Sequence, residues 1–153
     1  MEFQKLKITD LIPATYNPRK ELKPGDKEYE KIKSHTTIGH HILENTSSDK
    51  ISDDVLEYAK EITLHYHEKY DGTGYPDGLK EDEINVISKI MAIIDVYDAL
   101  VNDRVYKKAM NYEEAEQYII SQSGKAFDPK VVNVFMNVKE KLKNINEKYK
   151  EIG

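Results

Sequence analysis

Gly72-Thr73-Gly74-Tyr75-Pro76-Asp77-Gly78 puts three glycines and a proline into seven consecutive residues. No helix or strand survives that density of breakers, so a shaped, exposed loop divides the chain into a block before it and a block after it. The block before it closes on His65-Tyr66-His67-Glu68. Imidazoles at a helix end beside a tight loop suit metal or phosphate chemistry, and a helix-capping turn is the plain alternative.

At 153 residues the chain has the length of one domain and is large enough to bury a core without staples. It has no cysteine, so any metal must rest on His, Asp or Glu. No stretch approaches membrane-spanning length and no apolar run follows a basic N-terminus, which implies a cytoplasmic protein. The net charge of −5 argues against bulk nucleic-acid binding, while leaving room for a local basic pocket. All five histidines fall between His35 and His67, a grouping that fits one site better than scattered core imidazoles.

In chain order, Lys5 to Ile8 alternates polar and apolar residues, and Pro13 and Pro18 then interrupt, so residues 1–26 read as a strand-and-loop arm. From Lys27 to about Glu44 the spacing predicts a helix with Ile32, His35, Ile38 or Gly39, and Ile42 on its inner side; His40 and His41 point away into solvent. Ser52 is placed to cap a second helix, Asp53 to about Tyr70, with Val55, Leu56, Ala59, Ile62 and Tyr66 as its apolar face. His65 and His67 are two apart and cannot face one point on a regular helix, so only one of them is a ligand from it. Glu83 to Val101 is apolar nearly all round and should be central, which makes the carboxylate of Asp95 expensive unless it is paired or bound to a cation. Asn111 with Glu114 caps a helix to Gln122, and Asp128-Pro129 starts the last one. There, Val131, Phe135, Val138, Leu142, Ile145 and Tyr149 form a stripe read as a core seam rather than a dimer zipper. The fold class expected is all-α, with a helical domain over residues 27–153.

Several segments carry a family resemblance. His67-Glu68-Lys69-Tyr70-Asp71-Gly72-Thr73-Gly74-Tyr75-Pro76-Asp77-Gly78-Leu79 resembles the signature of HD-GYP domains, a branch of the HD phosphohydrolases that cleave cyclic di-GMP. So do Lys33 to Gly39, Ile94 to Leu100, Arg104 to Lys107 and Gly124 to Pro129, and together the resemblance spans about residues 28–135. It implies a compact HD-type helical bundle that holds divalent cations, iron or manganese, as one or two ions here. His35, His67 and Asp95 match metal-ligand positions, with Asp95 and His67 as the catalytic candidates. Tyr75, Arg104 and Lys107 match positions that bind the nucleotide, where a ring stacks a base and cationic side chains hold phosphate. The implied partner is cyclic di-GMP or a related cyclic dinucleotide, with a signalling protein docking on the Gly-Tyr-Pro loop as a further implied partner.

Two departures bear on activity. Tyr66 puts a phenol where the family pairs two imidazoles, and the His-Asp dipeptide that names the superfamily is absent from the chain. Its place falls near Thr9-Asp10, inside residues 3–33, where Leu11 to Lys20 resembles the opening of ParB-like domains. No later ParB-like motif follows, so DNA-related activity is not carried over. The readings left open are a cyclic di-GMP phosphodiesterase with a reduced metal site, and a non-catalytic relative that binds the nucleotide or a partner protein.

Overall fold

The computed structural model describes residues 27–46, 51–103 and 108–150. Among them the secondary structure is helical: α1 (Lys27–Glu44), α2 (Asp53–His65), a 3₁₀ turn (Glu81–Glu83), α3 (Val86–Val101), α4 (Tyr112–Ser121) and α5 (Pro129–Lys150). The all-α expectation therefore holds over these residues. The expected strand-and-loop arm and the Thr9-Asp10 position lie outside them. The chain forms two compact units, Met1–Ile32 and Lys33–Gly153, and the second holds every contact described below.

Helix α3 packs against α2, α4 and α5, as a helix this apolar should. Its Ile93, Tyr97, Leu100 and Val101 join Ala115 and Ile119 of α4, Phe127, and Val132 and Phe135 of α5 in one buried cluster. Tyr97 meets Phe135 edge-to-face with centroids 5.0 Å apart. Helix α3 is one-sided rather than buried all round, because Val86, Ile90 and Met91 are exposed. It also starts later than expected: Asn85 is extended and takes the Ile87 amide on its side chain, which makes it the cap and leaves Glu83 in the preceding 3₁₀ turn.

The caps of α4 and α5 form as their residue types dictate. Asn111 accepts from the Glu114 amide at 2.8 Å, and Asp128 Oδ1 accepts from Lys130 N at 2.7 Å. Ser52 stands at the N-cap of α2 but makes no side-chain hydrogen bond there. The α5 stripe is a core seam as far as Leu142: Phe135 is buried and Val131 and Leu142 pack against the core cluster, whereas Ile145 and Tyr149 are 53% and 69% exposed. Among the described residues, no helix is long and apolar enough to cross a membrane.

Helix α1 corrects the expected register. His35, Ile38 and Ile42 are exposed, and Thr36 is fully buried. A Cβ on Gly39 would stand 2.7 Å from Thr63 Cγ2, and His40 Nδ1 bonds the Lys60 carbonyl at 3.1 Å. His40 is therefore docked on α2 rather than solvated, and its face of α1, not the isoleucine face, is the covered one. The expected apolar face of α2 is likewise looser than its spacing implies: Val55 is exposed and no residue of that helix is fully buried.

Candidate functional site

Helix α2 ends at His65, not near Tyr70. Tyr66 keeps helical angles as the C-cap, and Glu68 N turns back to the His65 carbonyl at 2.9 Å. That early end removes the helical constraint that kept His65 and His67 from acting separately, since His67 no longer lies on the helix. His65 stays with α2, bonded to Glu61 at 3.0 Å and to Asp77 of the loop at 3.0 Å. Burial lowers its pKa, but the two carboxylates outweigh that and hold it above the ordinary imidazole value. His67 turns the other way, toward α1.

There it meets His35, with ring centroids 5.1 Å apart and planes near perpendicular. His35 Nε2 lies 2.9 Å from the Tyr66 hydroxyl, and the Tyr66 ring lies 3.9 Å from the His67 ring. The Tyr75 ring packs tilted against His67 at 4.9 Å and comes within 6.5 Å of His35. Lys33 brings its ammonium 5.6 Å from the Tyr75 centroid. Burial, helped by the neighbouring His35, pushes the His67 pKa down to about 4. His67 is thus neutral at pH 7, the form in which imidazole binds a metal or accepts a proton. Burial, with the negative charge of Asp95, raises the Tyr66 phenol above its ordinary value. Asp95 of α3 therefore bears on the same cluster through Tyr66.

The loop that carries Tyr75 is fastened at both ends. Tyr70 N and Asp71 N bond the carbonyls of Ala126 and Lys125 at 3.1 and 2.9 Å. Asp71 Oδ1 takes both the amide and the hydroxyl of Thr73, which hold its carboxyl below the usual range. Gly72 has φ +80° and Gly78 φ +69°, left-handed values that explain glycine at both positions. Glu68, which stands within the signature but has no role that its sequence position alone assigns, is 3% exposed; its Oε1 accepts from Asp77 N and Gly78 N at 2.7 and 3.1 Å. An acid directly after His67 and before a run of breakers was the available signal.

Of the expected site residues, the structure brings His35, His67 and Tyr75 into contact and sets Asp95 within electrostatic reach of Tyr66. Arg104 and Lys107 lie outside the described residues. Two adjoining imidazoles suit a borderline divalent cation in donor type. In number the set is short: among the described residues, no three His, Asp or Glu side chains are grouped so as to hold a metal ion.

The sequence matches the HD domain family over residues 12–131, and the chain belongs to that family. The match begins ahead of residue 28, where the resemblance read from motifs alone begins. More particularly, the chain is 42% identical over 133 residues to a cyclic di-GMP phosphodiesterase of Vibrio cholerae, an alignment covering 85% of this chain and 27% of that protein. It is 41% identical over 133 residues to one from Thermotoga maritima, covering 85% of this chain and 35% of the relative. A 3'3'-cGAMP-specific phosphodiesterase of Vibrio cholerae is 37% identical over 117 residues, covering 74% of this chain and 22% of the relative. The chain thus spans about a third or less of the length of these curated relatives.

Proposed function

We propose that this chain is an HD-GYP-type phosphodiesterase unit that hydrolyses cyclic di-GMP with the aid of a divalent metal. The observation that carries the reading is the meeting of His35 from α1 with His67 from the end of α2, beside the Tyr75 loop and on the side of α3 that bears Asp95. The resemblance gives the cation, iron or manganese, as one or two ions, to His35, His67 and Asp95, three side chains that the described geometry does not draw into one set. When bound, such a cation lowers the pKa of water and polarises a phosphodiester. The chain's own residues do the rest: His67 stays neutral at working pH, and Tyr75 offers a ring on which a base stacks. Lys33, Arg104 and Lys107 supply positive charge for phosphate, Arg in the fork geometry that grips two oxygens.

Incubation of the chain with cyclic di-GMP and Mn²⁺, followed by chromatography of the linear product, tests this. Wild type should produce the linear dinucleotide, and Asp95→Ala should lower the rate by about 100-fold or more, the scale at which disturbed metal sites fail. Equal rates would remove Asp95 from the chemistry. Elemental analysis of the purified chain should find iron or manganese, and none at any stoichiometry sinks the metal reading.

One observation favours a second reading, a non-catalytic module that binds the cyclic dinucleotide. The Tyr66 hydroxyl sits on His35 Nε2, where the family places a second imidazole, and the described donors fall short of a metal set. Under that reading, cyclic di-GMP binds without turnover, and Arg104→Ala weakens it by about tenfold, the worth of one hydrogen bond to a charged group.

A further inference from the structure

We infer that Glu68 is the positioning residue of the Gly-Tyr-Pro loop, holding Tyr75 against His67 from beneath. Past His65 the helix ladder no longer fixes the backbone, and a segment with three glycines loses much conformational entropy when it is ordered. Something must hold it, and the hydrogen bonds show what. Tyr75 N bonds the His67 carbonyl at 3.3 Å, upstream of the cis Tyr75–Pro76 bond. Downstream of it, Asp77 N and Gly78 N both donate to Glu68 Oε1 at 2.7 and 3.1 Å. The dipeptide His67-Glu68 therefore clamps Tyr75 on both sides, tying the backbone that carries the Tyr75 ring to the backbone that carries the His67 ring.

Two further features agree. Residue 74 passes so close to the clamp that a Cβ there would stand 2.3 Å from Lys69 N and 2.5 Å from Glu68 Cα, contacts only glycine avoids. Glu68 is buried, and its Oε2 has no hydrogen-bond partner among the described residues. Such a carboxylate costs stability relative to an apolar side chain of similar size, so its place is explained by the two amides it orients. The side-chain tie of His65 to Asp77 has an exposed carboxylate and belongs to the class of ion pairs that contribute little.

The test uses the full chain with ¹³C-labelled histidine in chelating buffer, where the rings of Tyr66 and Tyr75 both shift the imidazole of His67 and Tyr75→Ala isolates the share of Tyr75. Glu68→Ala should move the His67 signals toward those of Tyr75→Ala. Glu68→Gln, which keeps an acceptor for both amides, should restore them, and Asp77→Ala should leave them near wild type. Unmoved His67 signals in a folded Glu68→Ala protein, or a Gln variant no better than Ala, overturn the inference. Should Glu68→Ala fail to fold, Glu68→Asp replaces it: one methylene short, it should displace the signals while Gln does not, and the reverse order overturns the inference. A second arm rests on the proposed function. In calorimetric titration with cyclic di-GMP, Glu68→Ala should weaken binding by about tenfold, Gln should recover it, and Glu68→Ala should add nothing in a Tyr75→Ala background. Additive losses overturn the inference. Absence of any wild-type binding counts against the proposed function instead, and the imidazole signals still decide the role of Glu68.

Discussion

Asp128 illustrates how one side chain serves two ends. Its Oδ1 caps the start of α5 through the Lys130 amide, and its Oδ2 takes the Lys89 ammonium of α3 at 2.9 Å, with both side chains under a tenth exposed. Burial alone would raise the carboxyl; the Lys89 hydrogen bond and the amides of Lys130 and Val131 outweigh it, and its pKa lies below the ordinary value. A depressed carboxyl contributes stability that is present above its unfolded pKa, about 4, and is lost as pH falls through the lower folded value. Asp128→Ala should therefore lower stability by about 3 kcal/mol at neutral pH, since it strips a nearly buried ammonium of its nearer carboxylate and leaves it the exposed Asp82 at 3.8 Å. Urea unfolding of the two proteins checks this, and the gap between them should narrow in acid below about pH 4. A gap that stays constant into acid would show that charge is not its origin.

Among the elements, the contact of α1 with α2 turns on one glycine. In a helix interior alanine is favoured over glycine by about 1 kcal/mol, so on propensity alone Gly39→Ala should stabilise. The Cβ would stand 2.7 Å from Thr63 Cγ2, and a β-branched side chain yields poorly. The steric effect should win, and Gly39→Ala should destabilise by about 1–2 kcal/mol. In a Thr63→Ser background the offending methyl is gone, and the same substitution should become neutral or stabilising. Thermal melts of the four proteins decide it; no change of sign would mean that the two helices do not approach so closely. Gly74→Ala has no such escape, because its Cβ would meet backbone at 2.3 Å and the loop would have to move. Loss of cyclic di-GMP binding at unchanged far-UV dichroism is the expected result.

Across the molecule, burial is concentrated where α3, α4 and α5 meet, and the far end of α5 lies outside that cluster. Phe135, 4% exposed and packed on Tyr97, should cost about 3–5 kcal/mol when cut to alanine. Tyr149, at the same kind of stripe position but 69% exposed, should cost less than about 0.5 kcal/mol. Denaturant titration of Phe135→Ala and Tyr149→Ala separates the two, and comparable losses would mean that the end of α5 is covered in solution. The stripe looks uniform in sequence because i, i+3 and i+4 spacing records only which residues share a face.

The same limit separates what was legible from what was not. The sequence by itself determined the glycine-rich loop, the caps at Asn111 and Asp128, and the helices to within a turn everywhere but at the end of α2, because propensity, capping and breaker chemistry act within a few residues; the candidates His35, His67, Asp95 and Tyr75 came from the family resemblance instead. Only the tertiary structure decided that α1 covers its Thr36–His40 face rather than its isoleucines, that α2 stops at His65 so that His67 can reach His35, and that Glu68 is buried beneath the loop. Each depends on groups distant in the chain competing for the same space, and local pattern carries no record of that competition.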